Sequence, residues 1–238
     1  MEGQFLLSLG VGIFIGGAAG YLGSLMLSKR MALVAGPLGH LTLPGIALAL
    51  IYGFDVSLGA FPFVILGIVL IWLFEIRTKL PMEALTAIVF ASGVALAFLF
   101  LPVEQAQTAL VGDISRVRLG EAVASILVSL FLLLAVRKIY SSIVLINISE
   151  ELAKSEKINV KKYNLIYLAA IAIIVALGVK MVGGLLTAAL VAIPASSARN
   201  WGRNLDQYAY GAMAIEAISA AMVLHFSSGM VFTFIFTR

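Results

Sequence analysis

The chain contains no cysteine. Disulfides, thiolate-bound zinc and iron–sulfur clusters are therefore excluded. Charge is scarce as well. Asp, Glu, Lys and Arg make up 12% of the 238 residues, about half of what a water-soluble domain carries. No G-x-x-x-x-G-K-S/T phosphate loop occurs, so this polypeptide is not itself an ATPase. Neither a Ser/His/Asp set nor a Gly-rich dinucleotide fingerprint is found, and the sequence assigns no enzymatic chemistry and no tightly bound cofactor. What is abundant is apolar surface: 62% of the residues are hydrophobic. A chain of this kind cannot hide its apolar surface from water by folding alone, so lipid is its solvent. The net charge of +4 and pI near 9.4 do not point to nucleic acid. The basic residues sit at the ends of apolar segments rather than along one stripe.

Segments that reach or approach the roughly 20 apolar residues of a membrane span are 5–27, 31–52, 58–74, 82–101, 119–139, 163–179, 181–198 and 207–226. A shorter one, 228–238, is about half a span. The fold expected is an all-α polytopic bundle with about 8–9 transmembrane segments, a single transmembrane domain over 1–238. The run Phe5–Leu27 lacks a basic flank before it and reads as a first span, not a cleaved signal. Segment 31–52 reads as one helix despite Pro37 and Pro44, because a bundle interior tolerates such interruptions.

Lys and Arg orient the bundle. With the N-terminus outside, Lys29, Arg30, Arg77, Lys79, Arg137, Lys138, Lys154, Lys157, Lys161, Lys162, Arg199, Arg203 and Arg238 lie inside, and Arg116, Arg118 and Lys180 outside: thirteen against three of the 16. If the last half-span does not re-cross, the tally is twelve against four. Either way the N-terminus is expected outside. Gly12, Gly16, Gly20, Ser24 and Ser28 place small residues on one face of the first span. Such a stripe admits close backbone approach, within the chain or at a homodimer seam. The long polar cytoplasmic stretch, 147–162, carries Ser149 as a helix cap, with Glu150 and Glu151 in the first turn and Lys154 and Lys157 later, a charge order that suits the helix dipole. It is either a solvated loop helix or a docking helix for a cytoplasmic partner.

Two ionisable groups fall near mid-bilayer. His40 lies nine residues into its segment, about 14 Å along a helix, and Glu216 nine residues into the eighth segment. Buried ionisable groups at that depth mark a pathway by default, and imidazole and carboxylate suit Mn²⁺, Fe²⁺ or Zn²⁺. The competing readings are a histidine satisfied by a backbone carbonyl that Pro44 frees, and a carboxyl that holds helices together. Asp113, after Gly112, is a turn or cap residue or a cation acceptor at the outer mouth.

Residues 180–203 resemble a signature of the membrane subunits of metal-ion (zinc, manganese or iron type) ABC importers, through Val182, Gly183, Leu185, Leu186, Ala189, Leu190, Pro194, Ala195, Ala198 and Arg199. The stretch around His40, Pro44 and Gly45 is similar to that family's A-L-V-G-D-A-L-S-H-A-V-L-P-G-I-A-L-A. Further blocks follow in the family's order: Arg77 and Lys79 with Ala84, Ile88, Val89 and Phe90; Leu110–Ile114; the stretch Ile148, Ser149, Glu150, Glu151, Leu152, Ala153; and His225–Gly229. The family's Asp in the second segment falls on Gly36 and its Ser on Gly39. Its Asp opening the cytoplasmic helix is Ser149, and its Asp and Pro before Gly229 are His225 and Ser227.

The resemblance implies a permease of the type II-like importer fold in a prokaryotic plasma (inner) membrane. It would be a homodimer, working with a pair of cytoplasmic ATP-binding subunits and an extracytoplasmic solute-binding protein. Ile148, Ser149, Glu151, Leu152 and Ala153 would form the ATPase-facing coupling helix. A divalent Zn, Mn or Fe ion would be the cargo and pass Asp113, His40 and Glu216, with ATP held on the partner. A proton-coupled secondary transporter using His40 and Glu216 is the alternative, although no inverted repeat is evident. The residue at Gly36 also leaves open a permease-like chain without transport.

Overall fold

The computed structural model describes the backbone of residues 2–28, 39–54, 56–78, 80–100 and 118–236, with side-chain surroundings for all of these except 2, 50, 56–57, 82–83, 100, 180–186, 188 and 224–236. All regular structure among them is helical. The helices are α1 (Glu2–Ser28), α2 (Leu43–Tyr52), α3 (Val56–Arg77), α4 (Met82–Phe100), α5 (Leu119–Ile148), α6 (Glu150–Ser155), α7 (Val160–Arg199) and α8 (Leu205–Phe236). Helix is what apolar segments must form in lipid, because only a helix or a closed barrel satisfies every backbone N–H and C=O internally. Gly3–Ser28, Leu58–Arg77, Leu119–Ile148 and Val160–Val179 are each long and apolar enough to cross, and Ala84–Leu99 is a shorter apolar helix.

Four segments differ from expectation. The second is not one helix. The chain turns at Leu41–Thr42 before α2 begins, with Pro44 in the first turn of α2. Proline is tolerated there because its missing N–H would be an orphan anyway, while it disfavours helical geometry in the residue before it. The sixth and seventh spans form one continuous helical run, α7. That run is not straight. A Cβ on Gly178 would lie 3.3 Å from the Thr187 methyl, whereas nine residues of straight helix separate two positions by about 14 Å. The axis therefore turns back between them, and α7 consists of two arms, 160–179 and 187–199. At the other end, α8 continues to Phe236 without a break at Ser228, so the short last segment is part of the same helix.

Two groups of helices result. The first is α1 with α5, α7 and α8, centred on Ile15, Leu22, Leu25 and Met26 of α1 against Ile143 of α5 and Tyr167, Leu168 and Ile171 of α7. The second is α2 with α3 and α4, and α3 joins it to the first by packing on α7. Lipid tails are as apolar as these side chains, so close van der Waals packing holds the helices together rather than the hydrophobic effect. Glycine supplies the closeness. Gly16, Gly17 and Gly20 of α1 face Glu216, Met213 and Ala212 of α8, and Gly23 faces Val191 and Ala195 of α7. Part of the stripe on the first span thus serves packing within the chain. In the second group Gly45 of α2 and Gly59 of α3 lie backbone to backbone.

Candidate functional site

His40 precedes the turn at Leu41–Thr42. Thr42 donates its hydroxyl to the Gly39 carbonyl at 2.6 Å, and its backbone N–H reaches the same oxygen at 3.3 Å. This closes the break and holds the residue before α2 in place. The imidazole is half-buried and lies against Phe90 of α4, ring centroids 5.4 Å apart and tilted 40°. Leu41 fills the space left by Gly67 of α3 and Gly93 of α4. Pro44 is buried in the first turn of α2, followed by Gly45 at its contact with α3.

Glu216 is 6% exposed on α8. Its Cβ and Cγ lie against Gly20 and Gly16, at 3.1 and 3.2 Å from where a Cβ on those glycines would sit. The carboxyl is therefore enclosed between α1 and α8. The principal packing of α2 is against α3 and α4, so the structure places His40 and Glu216 in different helix groups. Among the described residues no three His, Asp or Glu side chains gather into a metal cluster. Asp113 lies outside the described residues, as does Gly36. Gly183 lies between the two arms of α7, and its surroundings also fall outside them. Pro194 sits within the second arm, beside Ala195, which is fully buried against Gly23 of α1; Arg199 ends the helix.

The polar stretch after α5 folds as the sequence suggests. Leu152 N–H donates to Ser149 Oγ at 3.2 Å, capping α6, and Lys154 pairs with Glu150 at 3.5 Å. Ala153 is fully buried on Ile146 and Val160 and fixes the short helix to the ends of α5 and α7. Lys157 takes a left-handed φ of 59° as the chain leaves α6. Glu151 faces solvent, and Ile148 and Leu152 are 74% and 48% exposed. An apolar pair displayed on a polar, water-facing element can take up a partner surface.

Two polar contacts were not legible in the sequence. Asn164 of α7 donates to Glu75 of α3 at 2.9 Å, linking the two helix groups. A second set joins α1, α5 and α8. The Tyr21 ring makes tilted contacts with Tyr140 and Tyr210, with centroids 5.4 and 5.7 Å away. Ser24 Oγ and Tyr140 Oη are hydrogen-bonded at 3.0 Å, and the Arg137 guanidinium lies 5.9 Å above the Tyr210 ring. Scattered tyrosines near segment ends are the only signal that the sequence offers for it.

The sequence matches the ABC 3 transport family over residues 4–234. It is 26% identical over 197 residues to the manganese import system permease protein ScaB of Streptococcus parasanguinis, covering 81% of this chain and 70% of that protein. It is 25% identical over 215 residues to the high-affinity zinc uptake system membrane protein ZnuB of Buchnera aphidicola subsp. Schizaphis graminum, covering 87% and 82%. In structure it is similar to PsaBC of Streptococcus pneumoniae, solved in complex with Fab, with a TM-score of 0.75 at 21% identity over 98% of this chain and 95% of that one. That likeness establishes the fold.

Proposed function

The chain belongs to the ABC 3 transport family, and on that premise we propose that it is the membrane subunit of an importer that carries a divalent transition-metal ion, Mn²⁺ or Zn²⁺ as in its relatives' names, into the cytoplasm. Fe²⁺ is admitted by the same imidazole and carboxylate donor chemistry. Two copies form the bundle in a prokaryotic plasma membrane, N-termini outside. A pair of cytoplasmic ATP-binding subunits supplies the driving free energy, and an extracytoplasmic solute-binding protein delivers the ion. The permease supplies two conformations and a polar route between its faces.

The observation that carries this reading is α6. It is capped by Ser149, pinned by buried Ala153 and displays Leu152, next to Ile148 exposed at the end of α5. A helix fixed at both ends, with Leu152 and the adjoining Ile148 exposed among charged side chains, transmits closure of the ATPases to α5 and α7. On the route, Asp113 receives the cation at the outer mouth and His40 is the ligand at the second segment, where Gly36 lacks the family's acid. Glu216 is the remaining acid. It is enclosed by α1, so its part in the route requires α1 and α8 to separate during the cycle.

The test is uptake of radiolabelled Mn²⁺ or Zn²⁺ by vesicles that contain the assembled complex. Uptake dependent on ATP is expected. No ATP-dependent uptake of any transition metal sinks the proposal, and uptake driven by a proton or sodium gradient without the ATPase replaces it by the carrier reading. His40→Ala is expected to lower uptake about tenfold or more while the ATPase still co-purifies. Unchanged uptake removes His40 from the route.

A further inference from the structure

The cleft between α1, α5 and α8 has a volume of about 280 Å³ and is lined by Tyr21, Arg137, Tyr140, Ser141, Asp206 and Tyr210. Its floor is aromatic, since Tyr21 and Tyr140 are buried with their rings in tilted contact, while Arg137, Asp206, Ser141 and Tyr210 are exposed at its rim. Among the described residues Arg137 and Asp206 form no ion pair with each other. A cation and an anion thus face one cleft, each with capacity left for a ligand.

Depth places the cleft at a membrane surface. Arg137 lies eighteen residues past Leu119, the first residue of α5, or about 27 Å along the helix, close to the roughly 30 Å thickness of the hydrocarbon core. The outward residues of α5 between these points are large and apolar: Val123, Leu127, Phe131 and Leu134 are all exposed. The cleft therefore opens beside a lipid-facing surface, at headgroup level, on the side where Lys and Arg concentrate.

We propose that this cleft binds the headgroup of a phosphatidylethanolamine of the inner leaflet. The lipid phosphate pairs with the Arg137 guanidinium. The ethanolamine ammonium lies over the tyrosine rings and donates to Asp206. An N–H donor distinguishes this headgroup from choline, which has none, and a positive charge opposite Asp206 distinguishes it from glycerol, whose hydroxyls are uncharged.

The test is the complete permease–ATPase complex in nanodiscs with equal phosphatidylethanolamine, phosphatidylcholine and phosphatidylglycerol, stripped by detergent, with retained lipid counted by mass spectrometry. At least fivefold enrichment of phosphatidylethanolamine is expected in the unaltered protein. Equal retention of the three lipids overturns the proposal without recourse to any variant. Arg137→Gln and Asp206→Asn are each expected to reduce the enrichment towards one with an unchanged elution volume; enrichment that survives in both overturns it. Soluble phosphoethanolamine at millimolar concentration is expected to leave the melting temperature unchanged. A rise with the soluble compound and none with the lipid overturns the assignment to a membrane lipid.

Discussion

The two glycine contacts, α2 on α3 and α1 on α8, look alike in sequence and differ in structure. At the first, glycine meets glycine: a Cβ on Gly45 would strike the Gly59 carbonyl, and one on Gly59 the Gly45 carbonyl. At the second, among the described residues, the glycines are on α1 alone. Gly20 meets the Ala212 backbone, but Gly16 and Gly17 meet the side chains of Glu216, Ala220, Met213 and Ala217. Backbone cannot retreat from backbone, and an alanine methyl moves only with its backbone, whereas the Glu216 and Met213 side chains can rotate away. The α2–α3 contact is therefore a rigid joint beside His40, and the upper part of the α1–α8 contact has the means to give.

The largest test of this difference is a cross-link. A Cβ on Gly17 would lie 3.9 Å from the Ala217 Cβ, within the range of a disulfide, and the chain has no cysteine of its own to interfere. Gly17→Cys with Ala217→Cys is expected to stop ATP-dependent uptake when oxidised and to regain it on reduction. Full uptake by the oxidised protein means that α1 and α8 stay together, and Glu216 is then a packing residue only. Next in size, Gly45→Val is expected to destabilise by about 3 kcal/mol, the upper end of typical overpacking, measured as loss of monodisperse protein in detergent. A variant that purifies normally contradicts the rigid joint. Smallest, Gly16→Ala is expected to cost about 1 kcal/mol or less, part of it recovered on combination with Glu216→Ala. Strict additivity in thermal melts of the four proteins removes the contact between residues 16 and 216 from the account.

The helices at 5–27, 58–74, 82–101 and 119–139 and the capped α6 were legible in the sequence because they depend on local signals: apolar run length, a serine cap and the order of charges. The break at Leu41–Thr42 was less so. Pro44 was visible, but whether proline interrupts a membrane helix or begins one depends on what satisfies the carbonyls before it, here the Thr42 hydroxyl at Gly39. The partition of His40 and Glu216 into separate helix groups was not legible. Equal depth in the bilayer says nothing about which helices are neighbours, and the contacts that decide it, Gly16 with Glu216 and Gly45 with Gly59, join residues distant in sequence. The tyrosine set beside Arg137 was hidden for the same reason.

Helix α5 runs on after Arg137 for eleven more residues to Ile148, about 16 Å. It ends where α6 is pinned. If it pivots at headgroup level, this overhang works as a lever arm: a tilt of about 10° moves α6 by roughly 3 Å on the rise per residue of a helix. A small rocking of the bundle and a stroke of a few ångströms at α6 are then one and the same displacement, geared by the length of a single helix.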